Sequence, residues 1–349
     1  MISDTLHAPG SFLDVHQQTF DVLVLGGGYT GLAVALQQRQ LGQKVLLVEP
    51  RGDLVWESGR AMFTRAGSLD HPLWQQLVRE VESRMPVTQP GWLDPALAEV
   101  VATKLVTEAG LSCLYYAWPV MLEQSHHQLT SLIVATKSGY RRLVARRFVD
   151  ATESGTLIRL LNPNLPDRPL EQGIMSAFLQ RRTWPADAAD RFQPTPWETQ
   201  RQYDVTVTML DPALARATLL ATLIEDEPAR DTMMSHAGVQ PYPLYVSGSA
   251  MLAMPGVPGN LCMASPSLAD ESLPSLADRF ALGLQASKQL ERMTPAEPDR
   301  ELFNQTIPML SCSLPDISAQ VLVAGGGTGG ALAPWPALKP GRPRSASSL

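Results

Sequence analysis

Three glycines at fixed spacing, with an acid 18 residues beyond the last of them, carry the most definite chemistry in this sequence. Gly26, Gly28 and Gly31 fall in the stretch Gly26-Gly-Gly-Tyr-Thr-Gly31 as GxGxxG. In such a loop the first glycine permits a tight turn and the second lets a diphosphate approach the backbone. The third lets the following helix lie close to the preceding strand. Tyr29 and Thr30 lead into that helix, where free N–H groups and the positive end of the helix dipole suit an anion. At Glu49 a carboxylate can accept hydrogen bonds from both hydroxyls of an adenosine ribose, and it disfavours a 2′-phosphate. The pattern describes a site for the ADP half of a dinucleotide and does not by itself choose between NAD and FAD.

These residues need a strand, a helix and a second strand to hold them. Asp21–Leu25 is a short apolar run suited to a strand buried on both faces of a parallel sheet. Thr30–Gln40 reads as the helix, with Leu32, Val34, Ala35 and Leu36 as apolar members, and Gly42 ends it. Lys44–Glu49 is the second strand. Beyond it, "SCLYYAWPVMLEQ", "LTSLIVATKSGYRRL" and "ARRFVDATESG" read as successive short strands with a turn at "KSGY". That is a β-meander, where an NAD domain would continue to alternate strands and helices. Further on, "RRTWPADAADRFQPTPWETQ" is proline-rich loop, and "YDVTVTML" and "YPLYVSGSAML" read as strands. Asp211-Pro212 starts a helix through about Glu225, and Ser275 with Asp278 makes a capping box before Leu276, Phe280, Leu284 and Leu290.

The bulk properties narrow the class. A chain of 349 residues, 44% hydrophobic and 18% charged, can bury a sizeable core. A net charge of -6 gives no basic footprint for nucleic acid. Arg141, Arg142, Arg146 and Arg147 read as a solvated strand edge. Cys113, Cys262 and Cys312 are sparse and odd in number, which points to a reducing compartment and excludes a redox cysteine pair. The stretch "MISDTLHAPGSFLDVHQQTF" has no basic n-region or apolar run, and no segment is long and apolar enough for a membrane span. The expectation is a cytoplasmic protein with a small-molecule substrate and no nucleic-acid or membrane partner, compatible with a homo-oligomer. No metal is expected. His126 and His127 are adjacent at a turn, His71 and His236 stand alone, and none has metal spacing. Trp56, Trp74, Trp92, Tyr115, Tyr116 and Trp118 read as core more readily than as pocket lining.

Three stretches together resemble the FAD-dependent oxidoreductases of the glutathione-reductase-like Rossmann superfamily. They are "DVLVLGGGYTGLAVALQQRQLGQKVLLVEPRGDLVWESGRA", "LIVATKSGYRRLVARRFVDATESGTLIRLL" and "GNLCMASPSLADESLPSLADRFALGLQASKQL". The resemblance implies an α/β fold: an FAD-binding Rossmann-like parallel sheet with a β-meander and an inserted α+β substrate-covering region. It divides the chain into a tail over 1–19, an FAD-binding domain over 20–160 and 255–292, and a substrate or cap region over 161–254. A C-terminal segment over 293–333 and a disordered tail over 334–349 complete the division.

It also implies roles. Gly26, Gly28, Tyr29, Thr30 and Gly31 would hold the diphosphate, and Glu49 the adenosine ribose with Arg51 beside the adenine. Val120, at the end of the first meander strand, would offer backbone groups to the adenine. Ala151 and Thr152 would lie near the diphosphate, with Ala264 and Ser265 near the ribityl chain or flavin. Glu57 and Arg60 are the polar candidates for catalysis, unless they simply pair with each other on a loop. The sequence departs from the family at three places. Glu153 stands where Asp-Ala-Thr-Gly has its glycine, putting a carboxylate where it would crowd or repel phosphates. The usual Leu-Gly-Gly after the ribose acid reads Leu54-Val55-Trp56, and the late Gly-Asp reads Ala264-Ser265-Pro266.

A second fingerprint, Gly325, Gly327 and Gly330, follows the strand-like Val321–Ala324. Pro334 and Pro336 stop its helix, and no second strand or ribose acid follows. It reads as the start of a second dinucleotide-binding unit cut short or replaced by a tail, or else as a glycine-rich turn packed on the first domain. The function expected is an FAD-dependent oxidoreductase passing a hydride between a small organic substrate and noncovalently bound FAD. The rivals are an NAD-dependent dehydrogenase and a catalytically degenerate nucleotide-binding subunit with a structural or regulatory role.

Overall fold

The computed structural model describes residues 18–307, except 165–170, 186–190, 210, 227–228, 230, 245–256, 269–272 and 298–299. The second glycine loop at 325–330 and the tail at 334–349 therefore lie outside the described residues.

The chain opens with strand β1 (Thr19–Leu25), helix α1 (Tyr29–Gln40) and strand β2 (Val45–Glu49). A short helix α2 (Trp56–Gly59) and two longer ones, α3 (Pro72–Glu82) and α4 (Pro95–Glu108), follow. Then come β3 (Ser112–Tyr115), β4 (Trp118–Ser125), β5 (Gln128–Thr136) and β6 (Gly139–Asp150), and helix α5 (Thr156–Leu161). β1, β2, β3 and β6 are parallel neighbours in the order β3-β2-β1-β6. Late in the chain β12 (Leu261–Met263) pairs parallel with the end of β6. The first half of β6 turns back through β5 and β4 as the antiparallel meander.

Strand alternation sorts the core onto two faces of this sheet. Val22 and Val24 of β1, with Val45 and Leu47 of β2, pack against the helices; Leu23, Leu25, Leu46 and Val48 pack on the meander side. All are buried, and each such side chain contributes about 1.5–3 kcal/mol by leaving water. Helix α7 (Leu276–Arg292) starts at the Ser275–Asp278 capping box and lies along α1. There Gln38 of α1 donates to the Ser287 carbonyl and hydroxyl at 3.2 and 2.8 Å. With β1 and β2 on one side and α7 on the other, α1 buries most of its circumference, which explains why its sequence shows no polar face.

The strands of the second sheet are β7 (Gln172–Gln180), β8 (Gln193–Pro194), β9 (Gln200–Thr208), β10 (Met233–Ala237) and β11 (Tyr242–Pro243). They are antiparallel, in the order β10-β7-β9-β8, with β11 also on β7. Met175, Ala177 and Leu179 of β7 pack with Ala215, Leu219 and Leu223 of helix α6 (Pro212–Glu225). The alternate residues, including Phe178, face the glycine-loop half of the molecule. Buried Gln202 ties the two halves, accepting from Thr64 Oγ1 at 2.8 Å and Trp92 Nε1 at 3.1 Å.

Several expectations are corrected. "SCLYYAWPVMLEQ" is two strands. Tyr116, at φ +53°, breaks it, so β3 extends the parallel sheet and only β4 joins the meander. The four arginines do not form a solvated edge. Arg142 is 6% exposed and bonds Glu123 of β4 at 2.7 and 2.8 Å. It also donates to the carbonyls of Leu302 and Gln305. Of "YPLYVSGSAML", the described strand is the two-residue β11, and its residues from 245 onward lie outside the described residues. Trp56, Trp74 and Trp92 are core, whereas Tyr116 and Trp118 are exposed. Among the described residues no helix is long and apolar enough to cross a membrane, and no cluster of His, Cys, Asp and Glu is placed to hold a metal.

Candidate functional site

The glycine loop is gripped from two sides. Gly26 adopts φ +102°, and a Cβ there would stand 2.6 Å from the Ala151 carbonyl oxygen. A Cβ on Gly31 would stand 1.8 Å from the Gly26 carbonyl oxygen, so α1 rests directly on the turn. Neither position admits another residue without moving backbone. At the end of β2, Glu49 is 2% exposed. Its Oε2 accepts from Gly27 N–H at 2.6 Å, and its Oε1 accepts from Arg51 N–H at 2.8 Å. Arg51 in turn lies over the Trp56 ring. The carboxylate is thus fixed beside the loop that carries Gly28.

A second acid stands at the N-terminus of α1. Glu57 of α2 is 1% exposed, and its Oε1 accepts from Tyr29 N–H at 3.1 Å. The same oxygen lies 3.4 Å from Arg279 Nη1 on α7. Its Oε2 is buried and finds no hydrogen-bond partner among the described residues. A Cβ on Gly28 would come 2.7 Å from Glu57 Oε1, so the carboxylate fills the space that this glycine leaves. Arg279 is fully buried and grips Glu153 with two bonds, at 2.5 and 3.0 Å. Its Nε donates to Tyr242 Oη at 2.8 Å, and Tyr242 stacks on Phe63 with centroids 3.6 Å apart.

Two carboxylates and one guanidinium leave this cluster one negative charge in excess. Burial pushes the Glu57 carboxyl above the usual carboxylate range; Arg279 opposes the rise and Glu153 adds to it. Burial by itself would lower Arg279, yet Glu153 and Tyr242 hold its pKa well above the ordinary guanidinium value. The phenols of Tyr29 and Tyr242 are pushed far above their usual range, chiefly by burial.

The other sequence candidates take up varied places. Ala151 packs over Gly26, and Thr152 Oγ1 donates to Asp150 at 2.6 Å. Ala264 N–H and Ser265 Oγ both donate to the Asp150 carbonyl, at 2.8 and 3.2 Å, beside the same loop. Val120 lies at an irregularity within β4, not at its end. Glu49 is paired with Tyr115 of β3, and the Ala117 N–H donates to the Glu49 carbonyl at 3.3 Å. Glu57 and Arg60 do not pair, because Arg60 is held by Asp53 at 3.0 and 2.5 Å. Sequence reasoning missed Arg279 and Tyr242. A signal for Arg279 existed: it sits three residues after Leu276 and one before Phe280, on the buried stripe of α7, where a charge must find a partner.

A separate cleft of about 240 Å³ opens where the second sheet meets α4. Met62, Asp94, Phe178, Trp197, Gln200 and His236 line it. Asp94 caps α4, its Oδ1 accepting from Leu97 N–H at 2.8 Å, and burial raises its carboxyl pKa. Met62 belongs to the same segment as Glu57: its N–H donates to the Ser58 carbonyl at 3.0 Å.

The residues present fit an FAD. A ribose could meet an acid, Glu49, beside glycines that leave the backbone open. A diphosphate could meet the Tyr29 N–H, the α1 dipole and Arg279, a set that the chain's own Glu57 carboxyl now contacts. Residues 21–163 match the family described as "FAD dependent oxidoreductase". No curated protein matches the chain in sequence. Among solved structures, a geranylgeranyl bacteriochlorophyll reductase-like protein from Thermoplasma acidophilum matches at 13% identity and a TM-score of 0.56. That match covers 79% of this chain and 78% of the other. A flavoprotein/dehydrogenase from Cytophaga hutchinsonii matches at 13% identity and 0.54, covering 82% and 81%. The OxyS anhydrotetracycline hydroxylase from Streptomyces rimosus matches at 16% and 0.55, covering 82% of this chain and 65% of its own. At such identities the likeness is one of fold. Over residues 21–163 the chain resembles the FAD-dependent oxidoreductases, and with that match it is read as an enzyme whose cofactor is FAD.

Proposed function

We propose that this oxidoreductase passes a hydride between a small organic substrate and noncovalently bound FAD seated on Gly26, Gly28, Tyr29, Thr30 and Gly31. The observation that carries the reading is the loop itself: β1 delivers it, Ala151 closes on Gly26, and Glu49 stands beside it at the end of β2. Bound FAD supplies the two-electron chemistry; the chain's residues bind, orient and exclude water. In this reading Glu49 holds the ribose hydroxyls and Arg279 faces the diphosphate. The cleft lined by Phe178, Trp197 and His236 receives the substrate, its two aromatic rings covering an apolar body while Gln200 and His236 offer polar contacts. Asp94 at the same cleft can hold a proton, since burial favours its neutral form. The free thiols of Cys113 and Cys262 agree with a cytoplasmic setting.

A visible absorption spectrum of the purified protein, with identification of the released cofactor, tests the first half of the reading. Anaerobic bleaching by candidate donors tests the second. Bleaching by one class of small organic donor, with two electrons taken per flavin, is the expected result. A protein that retains FAD yet is reduced by no donor would instead be the catalytically degenerate rival.

A further inference from the structure

Glu57 occupies the place that an FAD diphosphate needs. Its Oε1 holds the Tyr29 N–H at the start of α1 and stands 3.4 Å from the guanidinium of Arg279. Its Oε2, buried and unpartnered among the described residues, lies 3.1 Å from where a Gly28 Cβ would be, on the face of the loop that a diphosphate approaches. We infer that Glu57 is an internal anion competing with the FAD diphosphate, and that the cofactor binds together with one proton, taken up at Glu57. The inference rests on the reading that FAD sits at this glycine loop.

Charge decides between the alternatives. With Glu57 ionised, a diphosphate would add two negative charges to a cluster already one in excess, in a setting that screens poorly. With Glu57 protonated, Glu153 and Arg279 balance. The Oε2–H then becomes a donor aimed at the incoming phosphate oxygens, which satisfies the orphaned atom. Few other groups can take the proton's place. Those facing Glu57 are Arg279 from α7, Glu153 from the β6–α5 loop, Tyr29 of α1 and Tyr242 of β11, with Glu49 beyond Gly27. Arg279 and the two phenols keep their protons across the physiological range, and Glu153 is already committed to Arg279 by two bonds.

The test is FAD affinity against pH for the full chain and for Glu57→Gln, read by quenching of flavin fluorescence. Titrated from about pH 5 to about pH 9, log Kd of the native chain should rise toward a slope of one as pH climbs above the raised Glu57 pKa of the FAD-free protein. Glu57→Gln keeps the acceptor for Tyr29 and offers an amide N–H to the phosphate. It should bind with a flat pH profile, and at about pH 8 at least ~10-fold more tightly than the native chain. Calorimetry of the native chain in two buffers of different ionisation enthalpy gives a second readout without a variant, about one proton taken up per FAD at about pH 8. A flat native profile, or no proton uptake, overturns the inference and leaves FAD binding intact. Failure of both proteins to bind FAD at any pH overturns the placement of the cofactor, and this inference with it.

Discussion

Gly283 on α7 lies so close to Thr30 on α1 that a Cβ added to it would stand 2.2 Å from the Thr30 carbonyl oxygen. Thr30 Oγ1 returns a hydrogen bond to the Arg279 carbonyl at 2.9 Å, so the two helices are locked at the end that faces the glycine loop. Gly283→Ala must push against backbone and against Ala33, not against a flexible side chain. Overpacking of this kind costs about 3 kcal/mol, and it displaces the α1 N-terminus as well. The variant is expected to unfold at lower denaturant and to lose FAD before it loses secondary structure. Unchanged FAD affinity would show that the α1–α7 contact does not govern the site.

Glu49 has one carboxylate oxygen on the Gly27 N–H of the loop and the other on the Arg51 N–H just beyond β2. If it also receives the ribose hydroxyls, Glu49→Ala removes charge-assisted hydrogen bonds together worth about 3 kcal/mol, which is about 100-fold in Kd. Flavin fluorescence titration measures this directly. Loss of less than threefold would take Glu49 out of the cofactor site.

The strand-loop-helix-strand unit was legible in the sequence because each part is local: an apolar run, glycines that the turn demands, and an acid at the strand end. The capping box at Ser275 was legible for the same reason. What escaped are pairings across the fold. Arg279 meets Glu57 and Glu153 across sequence separations of 222 and 126 residues. No spacing rule connects such positions, and the one local clue is a charge on a buried stripe. The carboxylate at Glu153 looked hostile to a phosphate, yet two bonds from Arg279 hold it. Arg142 was misread because alternation alone did not reveal Glu123 on the far side of the meander.

Glu123 and Glu57 should shape the pH dependence of stability in opposite senses. Burial would raise Glu123, but hydrogen bonds from Arg142 and Ser131 win and hold its carboxyl below the ordinary range. A group depressed on folding lends stability above its unfolded pKa and withdraws it as pH falls through the folded value. Glu123→Ala therefore destabilises the protein at neutral pH by about 3 kcal/mol, leaving Arg142 buried without its ion pair. The low end of the usual range applies because Glu123 is 20% exposed. Part of that difference disappears below about pH 4. Glu57, raised on folding, withdraws stability as pH climbs through its folded value, so Glu57→Gln without cofactor should be the more stable protein at about pH 8 and no more stable at about pH 5. Thermal melts across this range check both signs.

His236 offers the most direct test of where the substrate goes. It lines the cleft of about 240 Å³ opposite Asp94, is itself exposed, and its ring sits edge-on to Phe178 at 6.3 Å. An indole at this position adds volume inside the cleft without disturbing the glycine loop, Glu49 or Arg279. His236→Trp should therefore leave the flavin spectrum, FAD affinity and melting temperature close to native. Reduction by the substrate should slow at least ~10-fold, mostly through a higher KM, because filling the cleft removes binding shared by ground state and transition state. An unchanged KM with lowered kcat would assign His236 to proton transfer instead. Unchanged values of both would mean that the substrate reaches the flavin by another route, and that this cleft is a seam between the second sheet and α4.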